Sequence, residues 1–190
     1  MRWLTISACA SLLWLLSSAC SPLQAQFSSE FDESFRAANL SYLFGYVPDG
    51  DWRWFKAQCI QESRLRPESV SPAGASGICQ IMPGAAGDAS LSWADRFDAE
   101  KNIKAGAWIL RRNFRTWWPR PTRLDRSRLA WASYNAGAGH IIRAQSKCDG
   151  ASLWEGMAPC LPEVTGRHAA ETIGYVRLIP KWYEQLSNEQ

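Results

Sequence analysis

Histidine is almost missing from this chain. Its 190 residues hold two, His140 and His168, too few for a histidine-rich metal site. Lysine is scarce as well, five residues against sixteen arginines, and the positive charges are scattered along the sequence. With a net charge of +3 and no basic stripe, the chain lacks the electrostatic footprint of a nucleic-acid binder. No run of alternating apolar and polar residues marks a strand, and there is no internal repeat or low-complexity tract. The length is that of one domain. The balance of 46% apolar to 21% charged residues excludes disorder throughout. What the chain does have is a heavy aromatic load, including eleven tryptophans, and six cysteines.

The first 25 residues are expected to be an export signal rather than part of the fold. Arg2 is a short basic head, Leu4 to Leu16 an apolar stretch too short for a comfortable membrane span, and small residues follow. Two endings stand. Cleavage after Ala25 leaves a free domain of residues 26–190. Alternatively, the run Leu16-Ser17-Ser18-Ala19-Cys20 reads as a lipoprotein box, with Ser17 where an aliphatic residue is usual, and Cys20 becomes a lipid anchor. Both place the protein in the periplasm.

Export changes the reading of the cysteines, because an oxidising compartment permits structural disulfides. Cys148 and Cys160 bracket a loop containing Gly150, Gly156 and Pro159. Closing so short a loop stabilises by about 3 kcal/mol in the chain-entropy view, and this pair is expected to be bonded. Cys59 and Cys79 are read as small buried apolar residues, the commoner role of a core cysteine, with their pairing left open.

Phe31, Phe35, Ala38 and Tyr42 recur at helical spacing and predict a first amphipathic helix. Pro48-Asp49-Gly50 breaks it, and Asp51 caps a second helix through Trp52, Phe55, Cys59 and Ile60. A small-residue loop covers 71–77. A long helix is predicted from Asp95 to Trp117, with Ile103, Ala107, Leu110 and Phe114 on one face. Pro119-Arg120-Pro121 ends it. Asp125 is read as the cap of the next helix, which runs toward Tyr134. A last helix opens at Pro162 or Glu163 and reaches about Leu186, with Pro180 expected to kink or break it. The chain is therefore read as mainly α.

Four segments place polar residues where apolar packing would otherwise continue. Glu62, in Gln61-Glu62-Ser63, follows an apolar helical run. A carboxyl there points into a partly desolvated cleft, where burial raises its pKa toward neutrality; the position also suits an ordinary glutamate at a helix end. In Gly74-Ala75-Ser76-Gly77-Ile78-Cys79-Gln80-Ile81-Met82-Pro83 the glycines permit close backbone approach, and Gln80 sits among apolar neighbours. Ser133-Tyr134-Asn135-Ala136-Gly137 sets a phenol beside an amide at a helix end. Glu171-Thr172-Ile173-Gly174-Tyr175-Val176 lies on the last helix.

Taken in order, these segments resemble the soluble lytic transglycosylase family over roughly residues 50 to 183. Glu62-Ser63 is similar to its Glu-Ser pair. Ser71 and the run to Pro83 resemble its Ser and Gly-Leu-Met-Gln motifs, with Ile78-Cys79 in place of Leu-Met. Tyr134 to Gly137 resembles its Tyr-Asn-Ala-Gly motif, and Glu171 to Val176 its Glu-Thr-x-Gly-Tyr-Val motif. Phe97 to Ile103, with Gly106 following, resembles the helix start between them. The Cys148–Cys160 loop has no counterpart in the pattern.

The resemblance implies a lysozyme-like (goose-type) fold, a single catalytic domain with a substrate groove. It implies cleavage of the β-1,4 bond between N-acetylmuramic acid and N-acetylglucosamine in peptidoglycan, leaving a 1,6-anhydro end, with Glu62 as acid and then base. Tyr134 is expected to orient Glu62 or the N-acetyl group. Asn135 and Gln80 are expected to bind glycan or order the loop, Ser71 to contact a peptidoglycan substituent, and Glu171 to hold the cleft. No metal or cofactor is implied. Trp117, Trp118 and Trp154, near loops, are groove candidates, whereas Trp52, Trp54, Trp108 and Trp131 read as core. The histidines read as surface or structural residues. A hydrolase on the same scaffold is the alternative activity. A monomer is expected, with peptidoglycan strands as partner, no nucleic acid, and service to a secretion or conjugation machine as a further role for small members of the family.

Overall fold

The computed structural model of the protein describes residues 27–119 and 122–188. The expected export signal, Cys20 and the Ala25 cleavage point lie outside the described residues. Among the described residues nine α-helices carry the fold. They are α1 (Asp32–Ala38), α2 (Arg53–Ser63), α3 (Pro83–Ala86), α4 (Ala99–Thr116), α5 (Arg123–Ala136), α6 (Ala138–Lys147), α7 (Trp154–Met157), α8 (Leu161–Thr165) and α9 (Ala169–Asn188). The described residues form no strand. Two isolated bridges, Val70 to Ser76 and Ser76 to Ile81, pin the loop after α2.

The centre of the molecule is α2, packed along α9, with α5 against both α4 and α9. Burial explains its sequence. Trp54, Phe55, Lys56, Ala57, Gln58, Cys59 and Ile60 are all buried, so α2 is enclosed on every side and needs no single apolar stripe. Asp51 starts it as expected: its carboxylate accepts the Arg53 N–H at 2.9 Å and also the Tyr183 hydroxyl at 3.0 Å, tying the helix entry to α9. Lys56, buried in this interior, bonds Asp32 at 2.6 Å and the Ser28 carbonyl at 2.9 Å, so the entering chain is fastened across α2.

Several boundaries differ from the sequence reading. The long helix α4 starts at Ala99, capped by Asp98, whose carboxylate accepts the Lys101 N–H at 3.0 Å. Asp95 instead closes a separate 3-10 turn, Trp93–Asp95. The cap of α5 is Thr122, which accepts the Asp125 N–H at 3.0 Å and donates to the Asp125 carboxylate at 2.6 Å; Asp125 stands in the first turn of the helix and is not its cap. A separate α6 occupies 138–147, a segment whose sequence pattern predicts no helix. The last helix does not open at Pro162 or Glu163. Short α8 stops at Gly166, and α9 begins at Ala169. It then runs unbroken past Pro180, contrary to the kink expected there.

The main core gathers Phe35, Phe55, Phe114, Trp117, Leu129 and Trp131. A smaller cluster, Ile81, Ala86, Leu91, Ala105 and Ile109, lies under the loop that follows α3, and Tyr134 packs against both clusters. Trp54 and Trp131 are core as expected, while Trp52 and Trp108 are half-buried. Trp117 and Trp154 are 2% and 7% exposed and belong to the core, not to a groove. Loop proximity in sequence misled because both helix ends fold back onto the interior.

Candidate active site

Glu62 stands on the last turn of α2. It shares one cavity of about 310 Å³ with Ser71, Gln80, Tyr134, Asn135 and Glu171. All six residues singled out from the motifs thus meet in one place, together with Gln61, Met82 and Tyr175. Trp118 is 60% exposed but stands elsewhere, beside Tyr46 and Arg115.

The wall opposite Glu62 is the loop 71–82, and its shape is forced by close contacts. Gly77 has φ +83, and a Cβ there would lie 2.2 Å from the Asn102 amide, so only glycine fits. Asn102, fully buried on α4, holds the loop by two bonds and ties it to the entry of α4 by a third. It accepts the Cys79 N–H at 2.9 Å and donates to the carbonyls of Ser76 at 3.1 Å and Arg96 at 2.8 Å. The Ser63 hydroxyl donates to the Ile78 carbonyl at 2.6 Å. Gln80 donates to the carbonyls of Ser69 and Gly77, at 3.0 and 2.9 Å, and the Ser71 hydroxyl accepts the Ala75 N–H at 3.0 Å. Gln80 and Ser71 therefore order the loop while facing the cavity.

A covalent bond reinforces this arrangement. Cys59, three residues before Glu62, is joined to Cys79. Both are fully buried, so the reading as small core residues holds for burial, but they are a disulfide and not free thiols. A side chain on Gly106 would meet the Cys79 Cβ at 2.9 Å and the Tyr134 hydroxyl at 3.3 Å, which is why α4 presents glycine there. The expected Cys148–Cys160 bond is present.

Tyr134 does not bond Glu62. Its hydroxyl donates to the Cys79 carbonyl at 2.9 Å and fixes the loop. The phenol on Glu62 is Tyr175, which donates to Oε1 at 2.5 Å. Sequence reasoning quoted Tyr175 within the fourth motif without assigning it a role; an apolar-flanked tyrosine one turn after Glu171 was the available signal. Across the cavity, the Asn135 amide donates to Glu171 at 3.4 Å and accepts the Thr172 hydroxyl at 2.7 Å, linking α5 to α9. Glu171 itself is exposed.

The electrostatics follow from what lines the cavity. Burial raises the Glu62 pKa to about 8; the Tyr175 hydrogen bond opposes this and the Glu171 charge adds to it. No lysine or arginine lines the cavity among the described residues, so nothing cationic stabilises the carboxylate. Burial and the Glu62 charge likewise push the Tyr134 and Tyr175 hydroxyls well above their usual range, so both remain protonated donors. The arrangement is one protonated acid, held by a neutral donor, opening on a polar cavity. Among the described residues no cluster of His, Cys, Asp and Glu is placed to hold a metal ion.

Residues 47–155 match the transglycosylase SLT domain. Membrane-bound lytic murein transglycosylase F of Alcanivorax borkumensis is 29% identical over 151 residues, covering 72% of this chain and 32% of that protein. The protein of the same name from Pseudoalteromonas translucida is 31% identical over 156 residues, covering 74% and 33%. The chain thus spans about a third of the length of these relatives. Among solved structures, the 70 kDa soluble lytic transglycosylase of Escherichia coli superimposes with a TM-score of 0.66 at 24% identity, over 84% of this chain and 24% of that one. The lytic transglycosylase Slt of Pseudomonas aeruginosa, solved as an inactive mutant with a glutamate replaced by glutamine, gives 0.61 at 24% identity, over 86% and 26%. These likenesses carry the lysozyme-like helical fold expected from the sequence, and the match over more than half of the residues settles the family: the chain belongs to the transglycosylase SLT domain family.

Proposed function

We propose that the protein is a peptidoglycan lytic transglycosylase that cuts the N-acetylmuramic acid to N-acetylglucosamine bond without water, using Glu62 as its only acid and base. The observation that carries this is the state of Glu62, a carboxyl with a pKa raised to about 8 on a polar cavity without cations. Such a group is protonated at neutral pH and donates its proton to the departing glycosidic oxygen. The carboxylate it leaves is unstable in that setting and reclaims a proton at once. The nearest source is the muramoyl 6-hydroxyl, whose oxygen attacks C1 as the bond to the leaving sugar breaks. The substrate's own N-acetyl oxygen supports the cationic carbon, which is why no second buried carboxylate is required. The bond broken is C1–O4, the bond formed C1–O6, and the proton returns to Glu62.

Tyr175 steers Glu62 in this scheme, Tyr134, Gln80 and Ser71 keep the loop wall in place, and Asn135 with Glu171 bounds the far side for the glycan. The relatives named for murein cleavage, and the glutamate-to-glutamine change in the inactive Pseudomonas protein, support this reading. We place its action in the periplasm, on wall glycan, with Cys20 as a membrane anchor if lipidated; no helix among the described residues is long and apolar enough to cross a membrane. Service to a secretion or conjugation machine that must open the wall is a further role we propose for this activity.

Mass spectrometry of products from purified sacculi tests the activity. Anhydro ends, one water lighter than reducing ends, are expected, and Glu62→Gln should lose cleavage by orders of magnitude. Reducing ends alone would make the protein a hydrolase, and an active Glu62→Gln would remove Glu62 from the mechanism.

A further inference from the structure

The Glu62 cavity does not end at Glu171. Asn135 and Glu171 also line a second cavity of about 410 Å³, whose remaining walls include His140 at the start of α6, Val164 and Thr165 at the end of α8, and His168 in the turn before α9. Both histidines of the protein stand on this one arm. Val164, Thr165 and His168 lie beyond residue 155, where the match to the family model stops.

That segment is built to hold a shape. The Cys148–Cys160 bond joins the end of α6 to the residue before α8. Gly166 then takes φ 57 and ψ −130, a conformation open to glycine and costly for other residues, and this turns the chain so that Thr165 and His168 reach the same cavity.

The lining has a consistent chemistry. No tryptophan, tyrosine or phenylalanine among the described residues lines the arm, so it lacks a face on which a sugar ring stacks. It offers instead a carboxylate, an amide, two hydroxyls and two imidazoles. His140 Nδ1 lies 2.6 Å from the Ala136 carbonyl and must carry a proton there, which leaves Nε2 of the neutral ring as an acceptor for an N–H. His168 Nδ1 stands 4.0 Å from the Glu171 carboxylate. Acceptors and donors spaced in this way suit amide and carboxyl groups.

Resting on the transglycosylase reading, we propose that this arm binds the peptide that hangs from muramic acid, with His140 and His168 as specificity-determining residues. The chemistry of the substrate sets the location. The peptide leaves the sugar through the lactyl group on C3, and the bond cut is at C1 of that same ring. Its first residues therefore lie within one sugar's width of Glu62 and need a branch off the cleft. An arm that meets the cleft at Asn135 and Glu171 supplies one. Peptide N–H groups meet His140 and Glu171, and a peptide carbonyl or carboxylate meets His168.

The test uses the purified full chain with two substrates, glycan strands bearing their peptides and strands of equal length stripped of them by an amidase. The wild type should show a lower KM on the peptide-bearing strands. His168→Ala, at an exposed position, and His140→Ala should each raise that KM about three- to tenfold, the effect of losing one hydrogen bond, and shrink the KM difference between the substrates. Circular dichroism and melting confirm that each variant is folded. In the inactive Glu62→Gln protein, a disaccharide-tetrapeptide should bind about tenfold tighter than the bare disaccharide, with the gap closing in His168→Ala. Equal effects on both substrates would make the arm a sugar site, and no effect on either would leave it unused; both outcomes overturn the proposal while leaving the transglycosylase reading intact. A wild type that cleaves neither substrate would sink that reading and this one with it.

Discussion

Replacing Glu62 by glutamine should stabilise the protein, and by an amount that depends on pH. A carboxyl whose pKa is higher in the folded than in the unfolded state holds its proton more tightly when folded. Below pH about 4.5 the group is protonated in both states and imposes no penalty. Between pH 4.5 and about 8 the unfolded chain sheds the proton while the folded chain keeps it, so folding stability falls as pH rises. Above about 8 the folded chain ionises too, and the penalty levels off at its full value. The interval corresponds, at about 1.4 kcal/mol per pH unit, to about 5 kcal/mol. Glu62 faces a water-accessible cavity, and screening there brings the expected value nearer to about 2–4 kcal/mol.

Glutamine reproduces the shape of the protonated acid and keeps an oxygen to accept the Tyr175 hydroxyl, so it removes the ionisation penalty without removing the hydrogen bond. For a domain of this size each kcal/mol moves the melting temperature by about 2–4 °C. The variant should therefore melt within a degree or two of the wild type near pH 4, and about 5–15 °C above it at pH 8 to 9. Differential scanning calorimetry of both proteins across this range reads the effect directly. A melting difference that does not change with pH would refute a raised Glu62 pKa. A variant less stable than the wild type at pH 8 would show that ionised Glu62 is stabilised by a partner, contrary to the cation-free cavity.

Tyr175→Phe removes the one hydrogen bond that favours the Glu62 carboxylate, so the basic limb of the kcat profile should move to higher pH and kcat should fall about tenfold; an unmoved limb would take Tyr175 out of the site. Cys59→Ala combined with Cys79→Ala opens a crosslink spanning 20 residues and should lose about 3 kcal/mol, read as a lower urea midpoint, whereas an unchanged midpoint would mean that the bond adds nothing to folding. Asn102→Ala leaves the Cys79 N–H and the carbonyls of Ser76 and Arg96 without their partner in the interior and should lose about 2–4 kcal/mol in the same assay; a loss below 1 kcal/mol would mean that water or the loop replaces it.

The helices that were legible in the sequence are those whose burial is one-sided or whose entry is chemically marked. In α4, Ile103, Ala107, Leu110 and Phe114 are fully buried, as their spacing required, and Asp51 caps α2. The start of α4 lies later than the pattern predicts because Asp95 and Asp98 are equally good caps locally; the choice falls to Asp98 once Trp93–Asp95 closes a turn of its own. Helix α6 buries only Ile141 and Ala144, too few apolar positions to announce it. Pro180 breaks nothing because α9 is held along its length, by Ile179 and Val176 in the core before the proline and by the stacking of Tyr183 on Trp54 after it.

The site was legible as a set of positions and not as a set of bonds, and the physical reason is rotational. Motifs order residues along a chain, but which hydroxyl meets Glu62 depends on how α9 is turned against α2. Burial of Thr172, Val176 and Ile179 fixes that turn and brings Tyr175 onto Glu62. Tyr134, on α5, is instead captured by the Cys79 carbonyl, a group held in place by Asn102 and by a disulfide whose two cysteines lie twenty residues apart. The raised pKa of Glu62 arises in the same way, from exclusion. The sequence carries 21 lysines and arginines. Several of those on and beside α2 are committed elsewhere: Lys56 bonds Asp32, Arg53 pairs with Asp51, and Arg64 lies over the Trp182 ring at 4.0 Å. Glu62 keeps its proton because the fold directs these cations away from it. That is a property of packing, and no count of charges along a chain contains it.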